Sequence, residues 1–248
     1  HPIPRRQRQM CIRDSAYSNR LLEDLNKIDW PSSIKEIQKN WIGKSTGASI
    51  FFKIDEKENA SIEVYTTRPD TIFGVTFLVL SPEHPMIKEF IESKHVSAYV
   101  KDCKQKTEIE RKKSKLITGV FSGMYALHPI TNKKMPIWIS DYVLIDYGTG
   151  AIMAVPCGDQ RDWSFANKFD LEIKNIFEGV DISKSAHEEK EIILKDSDFV
   201  NGLSSIEASQ KIVSFLEIKK LGFSRTNFKQ RDAIFSRQRY WGEPFPVY

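Results

Sequence analysis

The 248-residue sequence predicts a mixed α/β fold, in which helices surround a mainly antiparallel, curved sheet or barrel. Two observations lead to this fold class. Segments rich in β-branched and aromatic residues, which favour strands, outnumber the segments with helical periodicity. The strand-like segments also occur in clusters with short connections, as in successive hairpins, and this arrangement is typical of antiparallel pairing.

Two short helices are predicted near the start of the chain. In residues 18–26, leucines share one helical face, and Ser18 is a suitable N-cap because its hydroxyl can accept a hydrogen bond from the first turn. Residues 33–38 form a second short helical segment. Residues 40–47 contain glycines and small polar side chains, so we predict a linker there and place the start of the main domain within it.

From Ala48 onward the sequence predicts strands interspersed with helices. β-branched and aromatic runs indicate the strands, and apolar residues at helical spacing indicate the helices. The predicted strands are residues 50–54, 62–65, 75–80, 120–127, 135–139, 142–145, 151–155 and 171–177. The predicted helices are residues 82–93, 96–113, 159–169 and 204–221, and the charged stretch 181–198 is a predicted surface insertion.

The composition limits the class of protein. A hydrophobic content of 40% and a charged content of 28% are ordinary for a globular chain, and no apolar run approaches the ~20 residues that span a bilayer. The cysteines and histidines lack the spacing of a disulfide framework or a zinc site. We therefore expect a cytoplasmic protein with no metal site and no membrane association.

The net charge of +4 comes mostly from residues 1–15, which carry four arginines against one aspartate. This opening has no apolar periodicity and resembles translated sequencing-adapter sequence. A basic native arm is the alternative. We expect residues 1–15 to be non-native or disordered and assign them no function. Contacts with nucleic acid must therefore come from local placement of Lys and Arg rather than from the global charge.

The most unusual segment is residues 66–74, which read TTRPDTIFG between two apolar runs. Pro69 ends the preceding strand, because proline cannot donate to a sheet ladder. On a structural interpretation, the threonines and the aspartate hold backbone groups of a loop. On a functional interpretation, the hydroxyls of Thr66, Thr67 and Thr71 and the guanidinium of Arg68 converge where a polar substrate binds.

A second unusual segment, residues 147–162, reads YGTGAIMAVPCGDQRD. Gly148 and Gly150 allow the backbone to turn sharply and to approach a ligand closely. The strand that follows is of a buried type, so Met153 and Val155 would offer apolar surface to a ligand side chain.

Two aspartates, Asp159 and Asp162, open the helix that follows this strand. The structural interpretation is that Asp159 caps the helix and Asp162 lies in its first turn, where the helix dipole favours an acid. The functional interpretation is that a carboxylate binds an ammonium group of the substrate, which is a charge-assisted contact.

Together, these segments resemble the two walls of the aminoacyl-ester hydrolysis pocket in the editing domain of leucyl-tRNA synthetases. A third stretch, residues 235–248 (FSRQRYWGEPFPVY), resembles the place where the chain of that family returns to its nucleotide-binding catalytic domain. The resemblance implies that residues 16–44 are a flank of the catalytic domain and a linker. Residues 45–228 would be the editing domain, and residues 229–248 a linker and the strand that returns to the catalytic domain.

The resemblance also implies roles for individual residues. The threonines matching Thr66 and Thr67 hydrogen-bond the substrate, and the one matching Thr71 obstructs the pocket so that the branched side chain of leucine does not fit. Asp162 would hold the α-ammonium group of the amino acid. The implied catalytic set is Thr66, Thr67, Arg68, Thr71, Asp159 and Asp162, the pocket also contains Tyr147, Met153 and Val155, and the tRNA contacts are Arg161, Arg237 and Arg239.

The sequence departs from the family pattern just before the DQRD element. Many members have a histidine there, whereas this chain has Cys157 and Gly158. A histidine general base is therefore ruled out at this position. We expect water held by backbone groups and by the terminal ribose hydroxyl of the tRNA, with weakened editing as the alternative. Cys157 is a poor candidate nucleophile because no histidine lies near it in the sequence.

The resemblance implies hydrolysis of misacylated tRNA(Leu), carrying norvaline, isoleucine or methionine, by part of a leucine–tRNA ligase. The sequence contains no HIGH-type or KMSKS-type motif, so we assign ATP and Mg²⁺ to the parent enzyme. For editing itself the resemblance implies no cofactor. The expected partners are tRNA(Leu) and the rest of the synthetase chain, and the expected state is a monomer. The alternatives are a non-catalytic tRNA-binding module and the editing domain of a valyl- or isoleucyl-tRNA synthetase, which usually has a DPND-like element instead.

Overall fold

The computed structural model describes residues 11–12, 14–55, 57, 60–89, 93–106, 110–111, 116–145, 148–189, 191–230 and 233–234. The chain divides into two compact units. One comprises His1–Thr46 and Thr226–Tyr248, and the other is Gly47–Arg225. Most of the predicted non-native segment 1–15 and of the predicted return to the catalytic domain lies outside the described residues. Within the described ranges, no helix is both long and apolar enough to cross a lipid bilayer.

The smaller unit contains two helices, α1 (Ser18–Asp24) and α2 (Ser32–Ile42), and the short strand β1 (Cys11–Ile12). Helix α1 lies within its predicted range. Helix α2 ends at Gly43, which adopts the left-handed conformation (φ 58°) and donates its N–H to the carbonyl of Lys39. The predicted linker 40–47 is not irregular, because Gly43 ends the helix and a strand follows directly. The boundary between the two compact units, between Thr46 and Gly47, does lie within this segment.

Within the described residues, a seven-stranded sheet forms the centre of the larger unit. Its strands are β2 (Lys44–Ile54), β3 (Ser61–Thr66), β4 (Phe77–Leu80), β5 (Val120–Leu127), β6 (Lys134–Ile139), β7 (Ala151–Ala154) and β8 (Gly222–Phe228). A ninth strand, β9 (Ala233–Ile234), pairs with β1 in the smaller unit.

The order along the sheet is β3-β2-β5-β6-β4-β7, and β8 pairs with β2. The pairings along this order are antiparallel except for β4 with β6, which is parallel. The predicted class, a mixed α/β fold with a mainly antiparallel sheet, is thus confirmed. The sheet is open, however, because in the described part of the chain no hydrogen-bonded ladder joins β3 to β7. The sheet therefore does not close into the barrel that was predicted as one possibility.

Strand β4 separates two apolar clusters. Leu78 and Leu80 belong to the larger cluster, whereas Phe77 and Val79 on the opposite face belong to the smaller one. All four side chains are fully buried because the strand is covered on both faces, and this explains its uninterrupted apolar sequence. Burial of a side chain of this size contributes about 1.5–3 kcal/mol to the stability of the folded state. Strand β4 is therefore firmly held in the core, and it pairs with the neighbouring strand β7.

Helices of the larger unit whose full range is described are α3 (Lys94–Gln105), α4 (Gln160–Lys168) and α5 (Ser205–Ile218). Helices α4 and α5 lie within their predicted ranges, and Ser204 forms a capping box with Glu207 at the start of α5. Helix α3 is shorter than predicted. Its predicted continuation, 106–113, lies partly outside the described residues.

The predictions are wrong in three segments. Among its described residues, the predicted helix 82–93 contains only the 3₁₀ turn Pro85–Glu89, because a proline disfavours helical backbone at the residue before it. The predicted strand 142–145 is a turn whose Tyr142 and Val143 pack into the smaller cluster. The predicted strand 171–177 has only an isolated bridge at Phe177, whose N–H is bound by the side chain of Asn175.

Candidate active site

A cavity of about 170 Å³ lies where the two ends of the open sheet approach each other. One wall comes from the end of β3 and the 3₁₀ turn Pro69–Gly74, and the other from β7 and the start of α4. The cavity is lined by Tyr65, Thr66, Thr67, Arg68, Thr71, Ile152, Met153, Val155, Gly158, Asp159, Arg161 and Asp162.

The structure brings together most of the residues that the sequence singled out, although the two walls are about 80 residues apart in the chain. The predicted pocket residue Tyr147 and the predicted tRNA contacts Arg237 and Arg239 lie outside the described residues. Tyr65, Ile152 and Gly158 also line the cavity without having been assigned to it. Tyr65 and Ile152 are strand residues adjacent to assigned positions. The alternation of apolar and polar side chains along a strand does not distinguish a residue that lines a cavity from one that packs in the core.

The first wall is held by its own threonines. The hydroxyl of Thr66 accepts the N–H of Arg68 (3.0 Å), and the hydroxyl of Thr71 donates to the carbonyl of the same residue (2.9 Å). Thr71 is buried, whereas Thr67 is exposed. The structural interpretation of these threonines is therefore correct for Thr66 and Thr71. It coexists with their position on the cavity surface, so each can both shape the turn and meet a ligand.

Arg68 is held by Asp70, a residue that the sequence reasoning placed only in the loop. The Nε atom of Arg68 lies 3.2 and 3.1 Å from the two carboxylate oxygens, and Nη2 lies 2.7 Å from Oδ2. Asp70 is 1% exposed and does not line the cavity. The carboxylate thus lies behind the wall and the guanidinium lies on it.

The back of the 3₁₀ turn is held by two side chains from distant segments. His128 bonds the carbonyl of Ile72 through Nε2 (3.0 Å), while its Nδ1 accepts the N–H groups of Ile130 (3.2 Å) and Thr131 (3.1 Å). Because Nδ1 accepts, the proton of the neutral ring is on Nε2. Lys174 donates to the carbonyl of Phe73 (2.9 Å). No sequence signal identified His128 or Lys174, since they act through buried backbone groups.

We expect His128→Ala to destabilise the fold by about 2–4 kcal/mol at pH 7, because one buried and two partly buried backbone groups lose their partner. Burial lowers the pKa of His128, so its contribution is present above the unfolded value of about 6.5 and is lost as the pH falls below it. The difference in melting temperature between wild type and variant should therefore shrink from pH 7 to pH 5.

The control for this prediction is His95→Ala, which removes an exposed histidine of α3. It should leave the melting temperature nearly unchanged at both pH values. Equal losses at pH 5 and pH 7 for His128→Ala would show that its ring contributes by packing alone.

The second wall begins with a glycine turn. Gly148 and Gly150 have positive φ angles of 67° and 72°, which a side chain would strain. A Cβ atom at Gly150 would also lie 2.5 Å from Cδ1 of Ile145. The predicted sharp turn is therefore confirmed, and it directs the chain into β7, whose Met153 is buried at the cavity surface.

Asp159 performs the capping role that the structural interpretation assigned to it. Its Oδ1 accepts the N–H groups of Arg161 (2.8 Å) and Asp162 (3.3 Å), and its Oδ2 pairs with the guanidinium of Arg161 (3.2 Å). The Arg161 side chain is 72% exposed, so this pair contributes little to stability. A catalytic role for Asp159 and a tRNA contact for Arg161 remain predictions.

Asp162 is the most strongly perturbed acid of the cavity. It is 5% exposed, its Oδ1 accepts the hydroxyl of Tyr142 (3.0 Å), and its Oδ2 accepts the N–H of Val155 (2.9 Å). Burial and, after it, the nearby charge of Asp159 raise the pKa of Asp162 to about 7, against the lowering effect of these two hydrogen bonds. Each carboxylate oxygen keeps a second lone pair, so a cation in the cavity can still bind.

Gly158 lies on the cavity wall where many members of the resembled family have a histidine. A Cβ atom there would lie 3.3 Å from Cζ of the buried Phe177, so a larger side chain would require that ring to shift. Among the described lining residues there is no histidine. The neighbouring thiol of Cys157 is buried, and burial raises its pKa to about 11, so it is protonated at neutral pH and a poor nucleophile.

Comparison with known proteins connects this geometry to a family. The sequence profile described as "Leucyl-tRNA synthetase, editing domain" matches residues 39–217. The chain is 52% identical over 247 residues to a leucine–tRNA ligase of Azobacteroides pseudotrichonymphae genomovar. CFP2, covering 98% of this chain and 27% of that protein. It is 54% identical over 254 residues to a leucine–tRNA ligase of Christiangramia forsetii, covering 100% of this chain and 26% of that protein.

A solved structure is similar as well. It is the ternary complex of Agrobacterium radiobacter K84 agnB2 LeuRS with tRNA and LeuAMS, with a TM-score of 0.74 and 30% sequence identity over 90% of this chain and 25% of that one. The chain thus spans about a quarter of the length of these relatives. The match to the editing-domain profile covers more than half of the chain and confirms the resemblance inferred from its residues. This chain belongs to the leucyl-tRNA synthetase family and contains its editing domain.

Proposed function

We propose that the cavity hydrolyses the ester bond between a non-cognate amino acid and tRNA(Leu), with norvaline, isoleucine and methionine as substrates. The observation that carries this proposal is the composition of the cavity. A buried carboxylate (Asp162) lies beside apolar side chains (Met153 and Val155) and opposite a wall of hydroxyl groups and a guanidinium. An aminoacyl ester has the matching groups, namely an ammonium, a side chain and an ester with its ribose.

Asp162 is proposed to bind the α-ammonium group of the substrate. A buried carboxylate whose pKa is raised by desolvation gains most from a cation that replaces the lost water. Its bonds to Tyr142 and to the N–H of Val155 fix the direction of the carboxylate, so the ammonium would be held in one orientation. The bound ammonium would in turn keep Asp162 ionised at neutral pH.

The chemical step is addition of water to the carbonyl carbon of the ester. The bond between this carbon and the ribose oxygen then breaks, the ribose oxygen takes up a proton, and free amino acid and tRNA(Leu) leave. Since the described lining contains no histidine, we propose that backbone groups and the neighbouring ribose hydroxyl position the water. The proposed contacts of Thr66, Thr67 and Arg68 with the substrate orient the ester for this attack.

A hydrolytic pocket separate from the site that binds leucine for ligation is needed because one binding step discriminates poorly between similar amino acids. Side chains that differ by one methylene differ by only ~1–3 kcal/mol in one binding step, and the tRNA synthetases are the standard example of this limit. A hydrolytic cavity that excludes leucine and admits other side chains supplies the missing discrimination. We propose that Thr71 makes this distinction, because it is buried on the cavity surface in the first wall.

A second candidate, favoured by Gly158, is a tRNA-binding module that has lost hydrolysis. Deacylation assays with the 248-residue chain separate the two candidates. We expect norvalyl-tRNA(Leu) to be hydrolysed well above the spontaneous rate and leucyl-tRNA(Leu) to be spared. Binding of both tRNAs without acceleration of either hydrolysis would instead support the binding module.

For the whole protein we propose leucine–tRNA ligation with ATP and Mg²⁺ in a cytoplasmic, monomeric enzyme, with tRNA(Leu) and the rest of the synthetase chain as partners. Editing itself is proposed to need no cofactor. The support is the similarity to leucine–tRNA ligases, of which this chain spans about a quarter, and to LeuRS in a complex with tRNA.

The chain alone should not activate leucine, because its sequence contains no HIGH-type or KMSKS-type motif. We expect leucine-dependent exchange of pyrophosphate into ATP to stay at background under conditions in which norvalyl-tRNA(Leu) is hydrolysed. Exchange clearly above background would contradict the assignment of ATP chemistry to other parts of the parent enzyme.

A further inference from the structure

The ion pair between Arg68 and Asp70 fixes the orientation of the Arg68 guanidinium. The carboxylate of Asp70 binds the Nε and Nη2 atoms of Arg68 at 2.7–3.2 Å, which leaves Nη1 outside the pair. A two-point contact of this kind fixes both the plane and the direction of the guanidinium, whereas a single contact would let the long side chain rotate. The pair is also unequal in exposure: the side chain of Arg68 is 23% exposed and that of Asp70 only 2%.

Asp70 is itself held from outside the turn. The hydroxyl of Ser209, on helix α5, lies 3.4 Å from Oδ1 of Asp70. Helix α5 also has Phe215 in contact with Phe199, whose ring in turn packs edge-on against Phe73 of the 3₁₀ turn. The position of the carboxylate is therefore set by the body of the domain as well as by the loop that carries it.

We propose that Asp70 is a positioning residue for ester hydrolysis, which holds the guanidinium of Arg68 on the cavity wall with Nη1 available to an oxygen atom of the substrate. Asp70 lies behind the wall and does not reach the substrate, so it acts only through Arg68. A fixed donor stabilises charge that develops on an oxygen during the reaction, because it needs no reorientation at that moment. The proposal rests on the proposed hydrolytic function.

The test is a double-mutant cycle of Asp70→Asn, Arg68→Gln and the double variant, with hydrolysis of norvalyl-tRNA(Leu) as the readout. Asp70→Asn should lower kcat by about 10- to 100-fold with a smaller change in KM, as expected when a reacting group is misplaced by about 1 Å. In the Arg68→Gln background, the same substitution should change kcat by less than about twofold, because it then has nothing to position.

The matched control is Glu83→Gln. It weakens another arginine–carboxylate pair of the same unit, in which the side chain of Arg111 is 5% exposed, and neither residue lines the cavity. Its kcat should equal that of the unsubstituted chain, even if its melting temperature falls as far as that of Asp70→Asn. If Asp70→Asn does not fold, Asp70→Glu keeps the charge, displaces the guanidinium, and is expected to fold and to lose kcat.

A second measurement does not depend on activity. In ¹⁵N NMR spectra, the Nε–H group of Arg68 should give a distinct, slowly exchanging signal that is lost in Asp70→Asn and kept in Glu83→Gln. If the unsubstituted chain hydrolyses no norvalyl-tRNA(Leu), the proposed function fails, and this signal still decides whether Asp70 positions Arg68. The inference is overturned if the signal survives in Asp70→Asn, if kcat is unchanged, or if kcat falls equally in both backgrounds.

Discussion

Thr71→Ala is expected to make the chain hydrolyse correctly charged leucyl-tRNA(Leu), which the unsubstituted chain spares. Thr71 is 4% exposed and lies in the wall of a cavity of only about 170 Å³, so removal of its γ-methyl and hydroxyl opens space for a branched side chain. Differences of this size in a pocket correspond to about 1–3 kcal/mol, and we expect a rise of about 10- to 200-fold in kcat/KM for the leucyl ester.

Two further variants separate bulk from hydrogen bonding, because the Thr71 hydroxyl also donates to the carbonyl of Arg68. Thr71→Val keeps the volume and loses this bond, so it should still spare leucyl-tRNA(Leu) although its melting temperature falls. Thr71→Ser keeps the bond and loses the methyl, so it should admit leucine in part. Thr71→Tyr should block all substrates. The exclusion hypothesis fails if Thr71→Ala is folded, hydrolyses isoleucyl-tRNA(Leu) and still spares the leucyl ester.

Asp162→Asn is expected to lower hydrolysis of norvalyl-tRNA(Leu) strongly and to leave the fold intact. Loss of an ammonium–carboxylate contact in a buried site costs about 2–4 kcal/mol, which corresponds to a fall of about 30- to 1000-fold in kcat/KM. The amide can still accept the N–H of Val155 and donate to the hydroxyl of Tyr142, which are the two groups that bind the carboxylate. The variant should therefore show a native far-UV spectrum.

The stability of this variant should change with pH in a defined direction. In the folded chain the pKa of Asp162 is raised to about 7, whereas an unfolded aspartate titrates near 3.9. Between these values the folded state holds a proton that the unfolded state has lost, so the contribution of Asp162 to the free energy of unfolding falls as the pH rises from about 4 to about 7. Relative to wild type, Asp162→Asn should gain stability over this window, by about 1–3 kcal/mol at pH 8.

The control is Asp159→Ala, which removes the N-cap of the same helix. It should lower stability by about 1 kcal/mol at every pH above about 5 and retain most of the hydrolysis. A purely structural Asp162 would behave in the same way, with lost stability and unchanged kcat. Melting temperature and deacylation, measured on both variants at pH 5 and pH 8, distinguish the two possibilities.

Local features of the sequence determined much of the site. Strand β5 covers the predicted residues 120–127, since its β-branched and aromatic run has no competing pattern. Gly148 and Gly150 of the second wall have the positive φ angles that only residues without a side chain adopt freely. The polar segments that form the two walls stood out because hydroxyl, guanidinium and carboxylate groups are unusually dense within each of them. Each of these signals lies within one short stretch of the chain.

Tertiary structure alone decided what surrounds those segments. Tyr142 was predicted in a strand but is a turn residue that binds Asp162, 20 positions away, and His128 bonds Ile72 across 56 positions. The partner of Arg68 is visible in the sequence as Asp70, yet Ser209, which holds that carboxylate, is 139 positions further on. Such contacts leave no periodic trace, because each depends on where the open sheet brings distant segments together. The sequence thus determined which chemical groups form the cavity, whereas packing decided how each group is oriented and how strongly burial shifts the pKa of Asp162.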